Sequence, residues 1–94
     1  MSAMTLAQSL ARLAAAADRA GDGSVPALLD ECLTRCADVA TGASTAQRAD
    51  VQQRLTVWRD VWPRLGKDPQ FRAAVAREAR RWSAQCGGGR DPLT

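Results

Sequence analysis

The chain contains no histidine, and this absence bears on almost every kind of active site. Histidine is the commonest general base, the commonest metal ligand and the usual partner of a serine or cysteine nucleophile. The acids that remain, such as Asp50, Asp60 and Glu78, are not spaced as a recognisable pair of catalytic carboxylates. The sequence therefore predicts a protein that is not an enzyme and that uses no cofactor.

Three cysteines are the side chains best suited to metal binding. Cys32 and Cys36 are one helical turn apart, and Cys86 could supply a third thiolate. Strong zinc signatures use pairs of cysteines three positions apart, however, and unpaired cysteine is among the most often buried residue types. We therefore expect no metal site and core positions for Cys32 and Cys36. An odd number of cysteines, with no basic segment before an apolar one at the start of the chain, predicts reduced thiols and a cytoplasmic protein.

Arginine and tryptophan are the remaining candidates for a function, and both are concentrated in the second half of the chain. Residues 1–47 hold three arginines against five acids, whereas residues 48–94 hold ten arginines or lysines against five acids. The arginine guanidinium can form two parallel hydrogen bonds to a carboxylate or a phosphate. Arginine and tryptophan also often anchor contacts between proteins. The candidate partner-binding residues are Arg59, Trp62, Arg64, Arg72, Arg77, Arg80 and Arg81.

Two functional hypotheses follow from this basic half, and a third interpretation carries no function. The first is a protein-interaction or assembly module, such as an adaptor, chaperone or inhibitor subunit, that docks on an acidic protein or on a second copy of itself. The alternative is a small subunit that contacts a nucleic-acid backbone without reading its sequence. The third interpretation is a solvated helix face. No run of 18 or more apolar residues is present, so a membrane is not expected as a partner.

The elements that would carry these residues are four predicted helices. Strand-forming residues are scarce, and alanine, leucine, arginine and glutamine favour helix. Thr5 and Ser44 each precede a glutamine by three residues, as in a capping box, and Asp68 precedes a proline, as at a helix start. Helices are predicted over about 6–20, 25–40, 45–62 and 69–85.

Each predicted helix has an apolar stripe with steps of three and four residues. The clearest stripe is formed by Val51, Leu55, Trp58, Trp62 and Leu65. We expect core positions for Trp58 and Trp82, and a partly exposed apolar end from Trp62 to Leu65. Pro63 should stop or kink the third helix near Val61 or Trp62, because proline lacks a backbone donor.

Glu78 is the one acid that falls inside an apolar stripe, between Val75 and Trp82 on the fourth helix. Glu78 is expected either to reach the edge of the bundle or to pair with an arginine such as Arg54 or Arg81.

The predicted fold is all-α: a small antiparallel bundle of three to four helices over residues 1–86, with a disordered tail over 87–94. Short connections favour antiparallel neighbours. The fourth helix is expected to be shorter than the others and to pack on the first three or beside them.

Overall fold

Four helices form the described part of the chain, which comprises residues 5–19, 21–37 and 44–87 of a computed structural model. These residues include no strand, so the predicted all-α bundle is confirmed. The fourth helix is the second longest and not a short addition. The helices are α1 (Leu6–Asp18), α2 (Val25–Cys36), α3 (Thr45–Leu65) and α4 (Pro69–Gly87).

The starts of α1, α3 and α4 follow the predicted capping chemistry. The hydroxyls of Thr5 and Ser44 each accept a hydrogen bond from a backbone N–H three residues on, and both capping boxes are complete. At α4, an Asp68 carboxylate oxygen accepts the backbone N–H two residues on at 2.9 Å. Ser24 differs, because its hydroxyl donates to Asp22 and makes no capping bond to α2. The start of α2 therefore depends on its first-turn proline.

The first two helices end earlier than the sequence pattern predicts. Helix α1 ends at Asp18, and Arg19 already has extended backbone angles. Helix α2 ends at Cys36, and Ala37 lies in a turn. The remaining residues assigned to these helices, 20 and 38–40, lie outside the described part of the chain. Alanine favours helix wherever it occurs, so alanines near the end of a helix do not indicate the residue at which the helix ends.

Pro63 does not stop α3, and the predicted end near Trp62 is wrong. The helix continues to Leu65, where the N–H of Gly66 donates to the carbonyl oxygen of Trp62 at 2.8 Å. Pro63 has no backbone N–H, so one backbone hydrogen bond of the helix is missing. Because Pro63 lies in the last turn of α3, this missing bond does not disturb the rest of the helix. Helix α4 also extends beyond its predicted end, to Gly87.

Contacts between neighbouring helices show that all of them run antiparallel. The start of α4 meets the end of α1, where Arg72 bonds to Ala17, and the Ser83 hydroxyl donates to the carbonyl oxygen of Ala7 near the other end. Helix α1 also contacts α2, and α2 contacts α3. The backbones of α1 and α4 pack closely, whereas α3 and α4 have few close backbone contacts and are joined mainly by aromatic side chains. One side of the bundle is therefore tightly closed and the opposite seam is looser.

The core contains the apolar stripes that the sequence predicts. Trp58 and Trp82 are both buried, and their ring centroids are 5.2 Å apart, which ties α3 to α4. Helices α1 and α4 pack closely, and both contain buried small side chains. Five alanines of these two helices are almost fully buried: Ala14, Ala16, Ala17, Ala76 and Ala79.

Gly66 is required by the packing of Trp62. A Cβ at this position would lie 2.6 Å from the indole Nε1 and 2.8 Å from the carbonyl oxygen of Trp62. We expect Gly66→Ala to lower the free energy of unfolding by about 1–3 kcal/mol, because overpacking shifts the indole or the backbone. Urea denaturation measures this loss. Gly23→Ala is the matched control, since a Cβ there meets nothing within 4 Å; equal effects of the two substitutions would contradict the packing explanation.

The predicted C-terminal tail lies outside the described residues, apart from Gly87, with which α4 ends. Among the residues described, no helix combines the length and the apolar character needed to cross a bilayer. This agrees with the sequence, in which charged residues interrupt every apolar segment.

Candidate interaction surface

Arg72, predicted as a partner-binding residue, is instead buried between the end of α1 and the start of α4. The residue is 7% exposed. Its Nε donates to the carbonyl oxygen of Ala17 at 3.1 Å, and one Nη donates to that of Ala16 at 3.0 Å and also to that of Arg19. The other Nη donates to the carbonyl oxygen of Gly66 at 2.8 Å. Four of the five guanidinium N–H groups therefore bond to backbone carbonyls inside the protein.

This arrangement gives α1 the cap that its own sequence lacks. The last four carbonyls of a helix have no partner within the helix, and its C-terminus carries a partial negative charge. Helix α1 ends in an extended Arg19 without a glycine cap, and the N–H of Arg19 donates to the carbonyl oxygen of Ala16. Arg72 adds side-chain donors and the positive charge. Arg48 has a similar role at α2, where its Nη1 donates to the carbonyl oxygen of Cys36 at 3.2 Å.

Trp62, the second candidate that differs from expectation, is packed and not presented to a partner. The residue is 8% exposed. Its ring centroid lies 5.6 Å from that of Phe71 and 5.3 Å from the Arg72 guanidinium carbon, an arrangement that favours a cation–π contact. Leu65, at the end of the same stripe, is 39% exposed. The exposed apolar end predicted from Trp62 to Leu65 is therefore reduced to its last part.

Three candidate arginines form ion pairs on different sides of the bundle. Arg59 pairs with Asp30 of α2, with 2.5 Å between Nε and Oδ1. Arg80 pairs with Asp18 of α1, and Arg81 pairs with Glu78 on α4 itself. The last pair confirms one of the two partners expected for Glu78. Exposed pairs of this kind stabilise a fold by about 0–1 kcal/mol, but each reduces the positive charge available to a partner.

Arg64 and Arg77 are the two candidates that remain exposed without an ion pair among the described residues. They lie on the solvent sides of α3 and α4. Because Arg72 is internal, and because Arg59 and Arg80 turn toward α2 and α1, the seven candidates do not form one continuous surface. The predicted basic face is thus divided into separate parts.

The outer side of α3 carries a second apolar feature, which shares only Leu65 with the predicted stripe. Val57 is 51% exposed, and it and Leu65 are the exposed large hydrophobic residues of the described chain. Val61 lies between them and is partly buried. These three residues, spaced by four, are called the outer ridge below. This spacing by four is visible in the sequence. It is less conspicuous than the main apolar stripe of α3, which lies about a quarter-turn away around the helix.

A groove runs beside the outer ridge, along the loose seam between α3 and α4. It has a volume of about 480 Å³ and is lined by charged side chains over the indole of Trp82. Glu78 and Arg81 pair across one side of it. Its remaining charged lining residues, Asp50 and Arg54, have no ion pair among the described residues. The ridge and the groove together present apolar surface flanked by charges of both signs.

The cysteines are placed as core residues. Cys32 and Cys36 are buried, as predicted, and Cys86 is partly buried. Burial raises the pKa of Cys32 to about 12 and that of Cys36 to about 11, and it also raises the pKa of Cys86. The thiols are therefore protonated at neutral pH and are poor ligands and nucleophiles. Within the described ranges, no group of three or more acidic or cysteine side chains is arranged to hold a metal ion.

These buried thiols predict a loss of stability in alkali. An unfolded thiol titrates near 9.0, whereas the folded Cys32 and Cys36 titrate near 12 and 11, so the unfolded state releases its protons first. The stabilising contribution is complete below pH 9 and is lost as the pH rises toward 11, by up to about 1.4 kcal/mol per unit for each thiol. Denaturation curves recorded across this range test the expectation.

Few other groups interfere with this titration, because the chain has no tyrosine and one lysine, Lys67. Cys32→Ala combined with Cys36→Ala is the appropriate control variant. Its stability is expected to be lower at neutral pH but to fall much less from pH 9 to pH 11, the remaining loss coming from Cys86, whose pKa burial also raises. An equally steep alkaline loss in this variant would show that other groups are responsible.

No family model matches the chain, and no curated protein or solved structure matches it.

Proposed function

We propose that the protein is a non-enzymatic helical interaction module of the cytoplasm, which docks through the outer ridge of α3 and the arginines beside it. The observation that carries the proposal is the exposure of Val57 and Leu65 on the same helix as the exposed Arg64. Apolar residues bordered by arginine are typical of protein contacts. The sequence hypothesis combined the apolar end of the third helix with the basic face of the fourth, whereas the docking surface proposed now lies on the outer side of α3.

Electrostatics favour a protein over a nucleic acid as the partner. A nucleic-acid backbone requires several cations on one surface. Of the seven candidates, Arg72 is internal, and Arg59, Arg80 and Arg81 already contact carboxylates. The groove next to the ridge also contains Asp50 and Glu78, which repel phosphate. A mixed surface of this kind fits a protein that offers both apolar and charged groups.

Affinity capture at moderate salt, with and without nuclease, tests the proposal. We expect the captured protein to survive nuclease treatment and to be lost with Val57→Asp, because a buried carboxylate without a partner opposes docking. Ala27→Asp, at an exposed position of α2, is the matched control and is expected to capture as well as the unmodified chain.

Two outcomes would contradict this function. Equal capture by the Val57→Asp and Ala27→Asp variants would remove the outer ridge as the binding site. Binding that disappears with nuclease, and that falls steeply as salt is raised from about 50 to about 200 mM, would instead support the nucleic-acid alternative.

A further inference from the structure

We infer that the occupant of the outer ridge is a second copy of this chain, with the two α3 helices antiparallel about a two-fold axis at Val57. This inference rests on the proposed function and specifies its partner. Most oligomers of a single chain are symmetric, and a two-fold contact places the same patch of each copy against the other. The exposed Val57 is well suited to the axis, because there it would meet Val57 of the second copy and bury both side chains.

Charge positions on α3 support this pairing. Asp50 and Arg64 are each seven residues from Val57, in opposite directions. A heptad is close to two helical turns, so both residues lie within about 20° of the direction in which Val57 points. In an antiparallel pair centred on Val57, Asp50 of one copy therefore lies opposite Arg64 of the other, and the symmetry makes this pair twice.

Both members of this pair are available. Asp50 and Arg64 are exposed, and neither has a hydrogen bond or an ion pair with another described residue. A parallel pairing, by contrast, would place Asp50 beside Asp50 and Arg64 beside Arg64. The charges of the helix thus select one relative direction.

The surface next to Val57 leaves room for the second helix. On one side lies the groove between α3 and α4, and on the other lies a shallow depression formed by small and polar residues of α3 that include Ala49 and Thr56. Val61 faces the region that Arg54 of the second copy would occupy, and the methylene stem of that arginine can cover it. A single helix pair buries little area, so we expect a dissociation constant in roughly the micromolar range.

Sedimentation equilibrium of the purified full chain, over a concentration series, measures the association. The expected result is a reversible change from the mass of one chain, 10.0 kDa, to twice that value. Val57→Asp should leave a monomer at every concentration, with its helical circular dichroism retained, and Ala27→Asp should associate as the unmodified chain does. A chain that remains monomeric at the highest concentration, or a Val57→Asp dimer, overturns the inference.

A charge exchange tests the geometry itself. Asp50→Arg and Arg64→Asp should each weaken association by roughly tenfold, because each replaces two attractive pairs by two repulsive ones. The double variant restores opposite charges across the axis and should regain most of the affinity. A double variant as weak as the single ones would overturn the antiparallel pairing.

The two proposals can fail separately. A monomeric chain that still captures another protein through Val57 would overturn the second-copy inference and leave the interaction module intact. If Val57→Asp changes neither the dimerisation of the chain nor its capture of another protein, both the interaction module and the second-copy inference are overturned.

Discussion

Arg72→Met is expected to lower the free energy of unfolding by about 3–5 kcal/mol, as measured by urea denaturation. The substitution keeps much of the apolar stem but removes the guanidinium that donates to the carbonyls of Ala16, Ala17, Arg19 and Gly66. The oxygens of Ala16 and Arg19 also accept the backbone N–H groups of Arg19 and Asp22. The substitution therefore acts mainly on the oxygens of Ala17 and Gly66, and a buried acceptor without a donor costs about 1–3 kcal/mol. The loss of the positive charge at the C-terminus of α1 adds to this cost.

Two further variants test whether the loss of stability comes from the hydrogen bonds of Arg72 or would follow any substitution in α4. Arg77→Met changes the same residue type at an exposed position of the same helix, and its effect is expected to stay within about 0.5 kcal/mol. Arg72→Lys keeps the charge but cannot reach carbonyls on both α1 and Gly66, so it should recover only part of the stability. A loss below about 1 kcal/mol for Arg72→Met would show that the cap is dispensable.

Trp58→Ala is expected to cause a loss of similar size, about 3–5 kcal/mol, because it empties a large volume in the core. The effect should concentrate at the seam between α3 and α4, where Trp58 and Trp82 form the main aromatic link, at 5.2 Å between centroids. Hydrogen exchange of the backbone amides should therefore increase more in α4 than in α2. The loss of unfolding free energy and the exchange pattern can be measured on the same variant.

A double-substitution cycle isolates the aromatic pair from the cavity. Trp58 and Trp82 should show a coupling of about 0.5–1.5 kcal/mol beyond the sum of single effects, as expected for packed rings. Val57→Ala, at the neighbouring exposed position, serves as the control and should change stability little. Additive effects of the two tryptophan substitutions would mean that the rings contact without stabilising each other.

Periodicity and capping chemistry predicted most of the fold, because both are local. The four helices, the two capping boxes and the burial of Leu10, Leu55 and Trp58 can all be read from neighbouring residues. Helix ends were less well predicted. The end of α3 depends on whether one lost hydrogen bond at Pro63 can be tolerated, and packing beyond the helix decides this.

The division of the arginines could not be predicted, because it depends on contacts between distant parts of the chain. Arg72 and Arg77 are the same residue type on the same helix, and only the carbonyls at the end of α1, more than 50 positions earlier in sequence, distinguish them. The spacing of Val57, Val61 and Leu65 was visible in the sequence. Its exposure became evident only once the main stripe of α3 had been placed against the core.

Two-dimensional amide NMR spectra of the purified chain, recorded over a dilution series, test most directly whether association occurs at the outer ridge of α3. Concentration-dependent shifts are expected at Val57, Val61 and Leu65 and at the adjacent Asp50 and Arg64. No shifts are expected on the outer sides of α1 and α2. Shifts centred on α1 or α2, or spectra that do not change with concentration, would show that the outer ridge is not the site of association.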